Sequence, residues 1–596
     1  QIPSWSVQPG LPGVSMTTAD MNGDGKVDLF IAGARASNLN GNLLYLQQTD
    51  GSLAAAESPL ADVSDVNAAL WGDVDNDGMN DVYLLRQGPN QLWLQKSPGN
   101  FENVTDQSLT AAGTFNTVDG ALFDADHDGD LDLLIVNQDG PTELLNNDRT
   151  GSFRAIAQSQ GLAGRGKGGR QVVVADLDDD RDTDIAVFYD EPPHEVFYND
   201  RGWTYQPAKG FQYLESAAVN AAVAGDINAD GKVDLVTMDQ SGNLRRWAPD
   251  DLGVWRAGGG SGAVDETHIA PLHLALTDIN GDGLTDIVGP DVSGAWRVQV
   301  GSEALEKGQS VLTRAEGPLL VGWTVAVLDV TRGPSIIGLP AEGRPIVWPP
   351  GPGRFPYVTV TLSGREDVAN SMRSNASGIG SRIAARVGSS WTINHVLRSN
   401  SGPGQSLQPL PIGLGGAEMV DFVSIDWSDG VYQTELDLSP GQQHDIVETQ
   451  RQLASCPVLF VFDGEKYQFV SDVLGVAGQG FWMSPTETAP SRSFENFLLP
   501  EGLLPTDGAV YRIKIGEPME EVCYLDAVRL VAYDVPDHVS MFLDERMGTG
   551  QPLPTGKPLF FEKFQLPRLA TTSDGTVVTK LLQNADQEAV PPGALD

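Results

Sequence analysis

The sequence predicts an all-β protein: a seven-bladed β-propeller followed by two smaller β-rich domains. Three observations predict it. A nine-residue acidic loop recurs six times in the first half of the 596-residue chain. Its copies start at Asp20, Asp73, Asp124, Asp176, Asp226 and Asp278, separated by 53, 51, 52, 50 and 52 residues. Each period has room for four short apolar runs, and past residue 350 the loop disappears while alternating runs continue.

The loop sets the period. Its last copy reads Asp278-Ile-Asn280-Gly-Asp282-Gly283-Leu284-Thr-Asp286, with oxygen-bearing side chains at positions 1, 3, 5 and 9. A hard cation such as Ca²⁺ takes six to eight oxygens, and this spacing supplies them, with the carbonyl of position 7 completing the set. Glycine at position 6 allows the backbone turn. The ligand sets are Asp20, Asn22, Asp24, Lys26 and Asp28 in loop 1, and Asp73, Asp75, Asp77, Met79 and Asp81 in loop 2. Loop 3 offers Asp124, Asp126, Asp128, Asp130 and Asp132, and loop 4 offers Asp176, Asp178, Asp180, Asp182 and Asp184. Loop 5 offers Asp226, Asn228, Asp230, Lys232 and Asp234, and loop 6 offers Asp278, Asn280, Asp282, Leu284 and Asp286. Lys26, Met79, Asp130, Asp182, Lys232 and Leu284 enter through their backbone carbonyls. Loop 4 alone breaks the glycine rule, with Arg181 at position 6, and is expected to be strained or weaker. An EF-hand would need a Glu at position 12 and flanking helices. Position 12 is Ile31, Leu84, Ile135, Val187, Thr237 and Gly289, and the flanks are short apolar runs, so the loops join strands.

Blade two shows the plan. Ala68 to Trp71 leads into the loop, Val82 to Leu85 leaves it, Leu92 to Leu94 follows a turn at Gly88-Pro89-Asn90, and Phe101 to Val104 ends the repeat. Four strands at a period near 50 residues signal radial blades that bury their faces on one another. The third strand echoes in Asn42 to Leu46, Glu143 to Leu145, Glu195 to Tyr198, Asn243 to Trp247 and Ala295 to Val298. A degenerate seventh blade is expected from Val325 to Asp329, Ile336 to Leu339 and Pro345 to Trp348, with Ser4 to Val7 closing the ring as its fourth strand.

The Asp-x-Asn/Asp-x-Asp-Gly-x-x-Asp loop at this period resembles the FG-GAP/VCBS repeats, the family that includes the integrin α-subunit propeller. The resemblance covers residues 1–350 and implies the fold and about six structural Ca²⁺ ions. Members of the family bind proteins, bind glycans or support another domain, so the fold leaves function open.

Pro349 to Gly353 reads as a stiff linker. Residues 355–450 then carry Tyr357 to Leu362, Asn375 to Ile383, Ile412 to Ala417 and Val420 to Gly430. In that order they resemble the ASPIC/UnbV domain, which commonly follows VCBS repeats in secreted bacterial proteins related to cartilage acidic protein 1. Residues 455–596 alternate again at Val458 to Phe462, Tyr467 to Val470, Tyr511 to Ile515 and Tyr524 to Leu530, which suggests a β-sandwich with an extended polar tail. Cys456 and Cys523 share this block; a disulfide and two separate thiols stay equally open.

The formal charge of −42 argues against nucleic acid and anionic membranes as partners. Twenty-one of the carboxylates occupy ligand positions, and six Ca²⁺ would bring the charge to −30. Clustered acids repel without metal, so folding and binding are expected to be coupled. No apolar run is long enough to span a bilayer. The chain begins at Gln1, as a processed product would, and modest-affinity calcium sites fill outside the cytosol, so a secreted or extracellular protein is expected.

No catalytic constellation stands out. The seven histidines, His127, His194, His268, His273, His395, His444 and His538, form no metal-protease spacing, and no GxSxG elbow occurs. Gly161 to Gly168 lacks the Ser/Thr and helix of a phosphate loop and reads as a basic turn. His127 and Asp130, inside loop 3, are expected to face solvent. The expectation is therefore a calcium-binding, non-enzymatic scaffold or adhesion protein at the cell surface, with a protein or glycan ligand. Self-association into a homo-oligomer or filament is expected as one form of this role. The alternatives are a polysaccharide-active, lyase-like enzyme or a glycan-binding module on the same propeller.

Overall fold

The computed structural model describes most of residues 14–583, except for stretches of which the longest are 259–272 and 300–310. Ser4 to Val7, His268, Cys456, Cys523 and the tail from residue 584 lie outside the described residues, and with them the expected ring-closing strand and the thiols. Two compact units divide the chain, residues 1–451 and 452–596.

The first unit opens with six four-stranded antiparallel sheets in chain order, then a three-stranded one. Sheet 2 runs Val66–Gly72, Asp81–Arg86, Gln91–Ser97 and Asn100–Asn103; the first three overrun the predicted segments by one to three residues, and the fourth is shifted one residue toward the N-terminus. The seventh has Leu320–Asp329, Gly333–Pro340 and Ile346–Trp348 where the degenerate repeat was expected. The first strand of every sheet is its inner edge. These strands are nearly wholly buried because a residue there faces a neighbouring sheet on one side and the axis on the other. Between sheets the fill is apolar: Phe30 and Phe101 meet Trp71 edge-on at 5.9 and 6.2 Å. Sheet 7 closes on sheet 1 through a cluster of Val14, Met16, Leu29, Ala326 and Ile337, and Val14 N–H donates to Val321 O at 3.1 Å.

The domain that follows is fused to this wheel. Its strands Tyr357–Ser363, Leu410–Gly413 and Gln443–Val447 form one sheet, and Ser390–His395, Arg382–Val387, Val420–Asp426 and Tyr432–Leu438 form the other. One continuous apolar cluster runs from sheets 2, 3 and 4 through Ile379 into Val358, Ile383, Val423 and Ile425. The Pro-rich segment is held down, with Arg354 Nη1 donating to Pro334 O at 2.6 Å and Phe355 N–H to Asn280 O at 2.9 Å.

The second unit holds a three-stranded sheet of Tyr467–Asp472, Val458–Phe462 and Ile513–Gly516 and two hairpins. Leu525 to Leu530, expected as a strand by its alternation, is exposed and lies outside any sheet. Alternation marks a half-buried surface, but a strand also needs a partner edge, which nothing local encodes.

Candidate metal centre

The six loops share one hydrogen-bond frame. At position 1, Oδ2 accepts the N–H of position 6, at 2.8 Å in Asp20, 2.6 Å in Asp73, 3.0 Å in Asp124, Asp176 and Asp226, and 2.8 Å in Asp278. At position 9, Oδ2 accepts the N–H of position 2 at 2.7–3.3 Å. In the first four sheets its Oδ1 accepts from the third strand at 2.8 Å: Asp28 from Gln47, Asp81 from Gln95, Asp132 from Asn147 and Asp184 from Asn199. The position 9 aspartates are at most 1% exposed, so each knots loop to sheet. Position 5 accepts the N–H of position 7 at 2.9–3.0 Å in every copy, folding Lys26, Met79, Asp130, Asp182, Lys232 and Leu284 back over the turn.

Positions 4 and 6 are both left-handed in all six loops, with φ from 54° at Asn76 to 92° at Gly129. Position 4 escaped the sequence reading because Gly23, Asn76, His127, Asp179, Ala229 and Gly281 share no residue type. Arg181 takes the glycine conformation at φ 76°. Its guanidinium reaches into the following domain, Nη2 donating to Tyr432 Oη at 2.7 Å, Nε 3.4 Å from Asp426 Oδ2, with Cζ 4.8 Å over the Tyr432 ring. The odd residue in loop 4 is an anchor as well as a source of strain.

Three loops bring carboxylates together. Ligand atoms of Asp73, Asp75 and Asp81 lie within 4.8 Å of one another, as do those of Asp124, Asp126 and Asp132, and of Asp176, Asp178 and Asp184. Burial, then neighbouring carboxylates, pushes these acids up: Asp73, Asp126 and Asp178 to about 7, Asp81 to about 8 and Asp184 to about 9. Asp124 and Asp132 rise well above the usual range for the same reasons. Oδ1 of Asp126 is buried without a hydrogen-bond partner. A cage of converging carboxylates with an orphaned oxygen fits a hard divalent cation. In loops 5 and 6 the position 3 asparagine instead donates to position 5, Asn228 to Asp230 at 2.7 Å and Asn280 to Asp282 at 3.0 Å. Loop 5 also has a resident cation, Arg246 Nε at 2.8 Å from Asp234.

His127 and Asp130 do not face solvent as expected. Asp130 is 2% exposed and takes a bond from Asn76 Nδ2 at 3.2 Å. His127 Nδ1 meets Ser428 O at 2.9 Å, and Nε2 lies 3.1 Å from Asp182 Oδ1. The following domain covers this loop, and a local reading sees no cover. The basic turn at Gly161 to Gly168 leads into strand Gly169–Ala175, with Arg165 stacked 5.0 Å over Tyr189.

The same domain fills the propeller axis. Residues 398–408 run through the ring of inner strands and bond to six of the seven sheets. Leu407 N–H donates to Thr18 O at 2.8 Å, Gln405 N–H to Ala69 O at 2.9 Å and Ser401 N–H to Leu274 O at 2.9 Å. Gln405 Oε1 accepts from Leu122 N–H at 2.9 Å, and Gln408 Oε1 from Val327 N–H at 3.2 Å. Arg398 Nη1 pairs with Asp119 Oδ2 at 2.8 Å and also reaches Val172 O at 3.4 Å. This segment carries no metal or catalytic motif, so the sequence reading passed over it.

The FG-GAP-like repeat family matches residues 20–84, 73–135 and 124–187, and the ASPIC and UnbV family matches residues 371–453. Cartilage acidic protein 1 of Xenopus tropicalis is 25% identical over 187 residues, a match spanning 29% of this chain and 29% of that relative's length. Solved structures with a similar chain path include the BP39L lectin of Burkholderia pseudomallei, 12% identical over 57% of this chain and 96% of that one, TM-score 0.40. The Dos1 propeller is 11% identical over 58% and 84%, TM-score 0.35. This chain carries FG-GAP-like repeats on a β-propeller followed by an ASPIC and UnbV domain.

Proposed function

We propose that the chain is a secreted, calcium-stabilised binding scaffold without catalytic activity. The observation that carries it is the set of three acidic cages in register, each on the same frame of two left-handed turns. Bound Ca²⁺ would be held by positions 1, 3, 5 and 9 and would offset the repulsion among buried carboxylates. Among the described residues, the axial channel is filled by residues 398–408, which supports a ligand, protein or glycan, meeting the outer surface instead. Native mass spectrometry in calcium should count about six ions, and chelation should lower the melting temperature and protease resistance sharply. A protein indifferent to chelation would overturn the calcium reading. New unsaturated ends released from acidic polysaccharides would overturn the non-enzymatic one. Light scattering in millimolar Ca²⁺ tests self-association at the cell surface.

A further inference from the structure

We propose that ion occupancy of loops 2 to 6 sets the docking of the ASPIC and UnbV domain, and with it the seating of residues 398–408 in the channel, while loop 1 binds its ion without a bond to that domain. This inference rests on the calcium reading above.

The contacts divide the loops into two classes. Loops 2 to 6 each bond to the ASPIC and UnbV domain. Ser377 Oγ accepts from Asp73 N–H at 2.6 Å in loop 2, Ser428 O meets His127 in loop 3, and Arg181 of loop 4 reaches Tyr432. Arg382 Nη2 donates to Gly231 O of loop 5 at 3.1 Å. Loop 1 differs. Among the described residues its outside cover comes from repeat 2, where Asn80 Nδ2 of loop 2 donates to Asp20 O at 2.9 Å and Pro98 lies against Gly23.

Loop 6 clamps both ends of the channel segment. On the near side, Thr392 Oγ1 donates to Gly283 O at 2.6 Å from strand Ser390–His395. On the far side, Gly415 N–H donates to Gly281 O at 2.8 Å, and a Cβ on Gly413 would collide with Oδ2 of Asp278. Tyr357 Oη adds a bond to Asp278 O at 3.1 Å. Most of these partners are backbone groups whose direction depends on the loop holding its turns. A cation at the centre holds the turns; without it the carboxylates repel and those backbone groups lose their aim. Coupling of this kind is reciprocal, so the domain must in turn raise the affinity of the loops it touches.

The test uses the full chain. Hydrogen-exchange mass spectrometry with Ca²⁺ and with excess chelator follows residues 396–410, and native mass spectrometry counts bound Ca²⁺. Chelation should release the protection of that segment. Asp20→Asn and Asp278→Asn should each cost one ion, but only Asp278→Asn should expose the segment. Thr392→Val, which leaves every proposed ligand in place, should weaken one site by about three- to tenfold and spare the others. Protection that is the same with and without bound Ca²⁺ overturns the linkage. So does exposure by Asp20→Asn equal to that by Asp278→Asn, since that is a global loss of stability. A protein that binds no Ca²⁺ at all brings down the calcium reading and the linkage with it, a result the ion count separates from the other two.

Discussion

Arg398 and Asp119 offer the sharpest test of the filled channel. Their side chains are 6% and 1% exposed, 279 residues apart in sequence. Arg398→Met keeps the length and apolar stem but leaves the Asp119 carboxylate with two backbone donors, Val172 at 3.0 Å and Gly404 at 3.2 Å. Removing one partner of a buried pair costs about 3–5 kcal/mol, because an uncompensated charge stays behind. Asp119→Ala should cost as much, since it leaves the buried guanidinium with carbonyl acceptors but no counter-charge and strands both N–H groups. With both charges gone, the double variant Arg398→Met/Asp119→Ala loses mainly those two N–H acceptors, about 1–3 kcal/mol each. It should therefore cost less than the singles added together, by about 4 kcal/mol. Peptide-resolved hydrogen exchange over residues 396–410 reads the opening free energy locally, without requiring the whole chain to unfold in one step. Additive effects, or singles that leave that segment's protection unchanged, would refute the buried pair.

Restoring the glycine rule with Arg181→Gly relieves a left-handed turn worth roughly 1–2 kcal/mol, but it removes the nearer of the two cations, Arg181 and Arg382, that act on buried Asp426, worth up to about 3–5 kcal/mol. The variant should melt lower than the parent, and a higher melting temperature would show that Arg181 is strain alone. Asp132→Ala removes the acceptor of Ala125 N–H at 2.9 Å and Asn147 N–H at 2.8 Å, so it should cost about 2–5 kcal/mol even in chelator, read by urea titration. Raised carboxylates such as Asp81, at about 8, and Asp184, at about 9, oppose folding once ionised. Metal-free protein should therefore lose stability as pH rises from about 4 to about 9, while calcium binds more tightly over the same rise and releases protons, which calorimetry in buffers of different ionisation heat detects. His194 and His273 run the other way. Burial lowers both to about 4, so their stabilisation is whole above the unfolded value near 6.5 and is lost as pH falls through 4, by about 3 kcal/mol each. Calcium-replete melting that is flat from pH 7 to 4 would contradict this.

The repeat unit was legible because its signal is local. Asp, Asn and Gly at fixed offsets within nine residues state a turn and a ligand set together, and a 50-residue period states the wheel. Arg181 was visible as an exception but not as an anchor, since Tyr432 lies 251 residues away. His127 was placed in solvent because nothing near it in sequence announces Ser428, 301 residues on. Leu525 to Leu530 fails for the opposite reason, a local pattern with no edge to join.

Taken alone, the sequence determined the propeller, its six acidic turns and the order of the domains that follow, because periodic burial and side-chain spacing repeat along the chain. Tertiary structure alone decided that residues 398–408 fill the axis and that the ASPIC and UnbV domain lies against five of the six loops. Many of those contacts join residues more than 100 apart through a backbone amide or carbonyl on at least one side, a group that nearly every residue carries, so residue type along the chain does not spell them out.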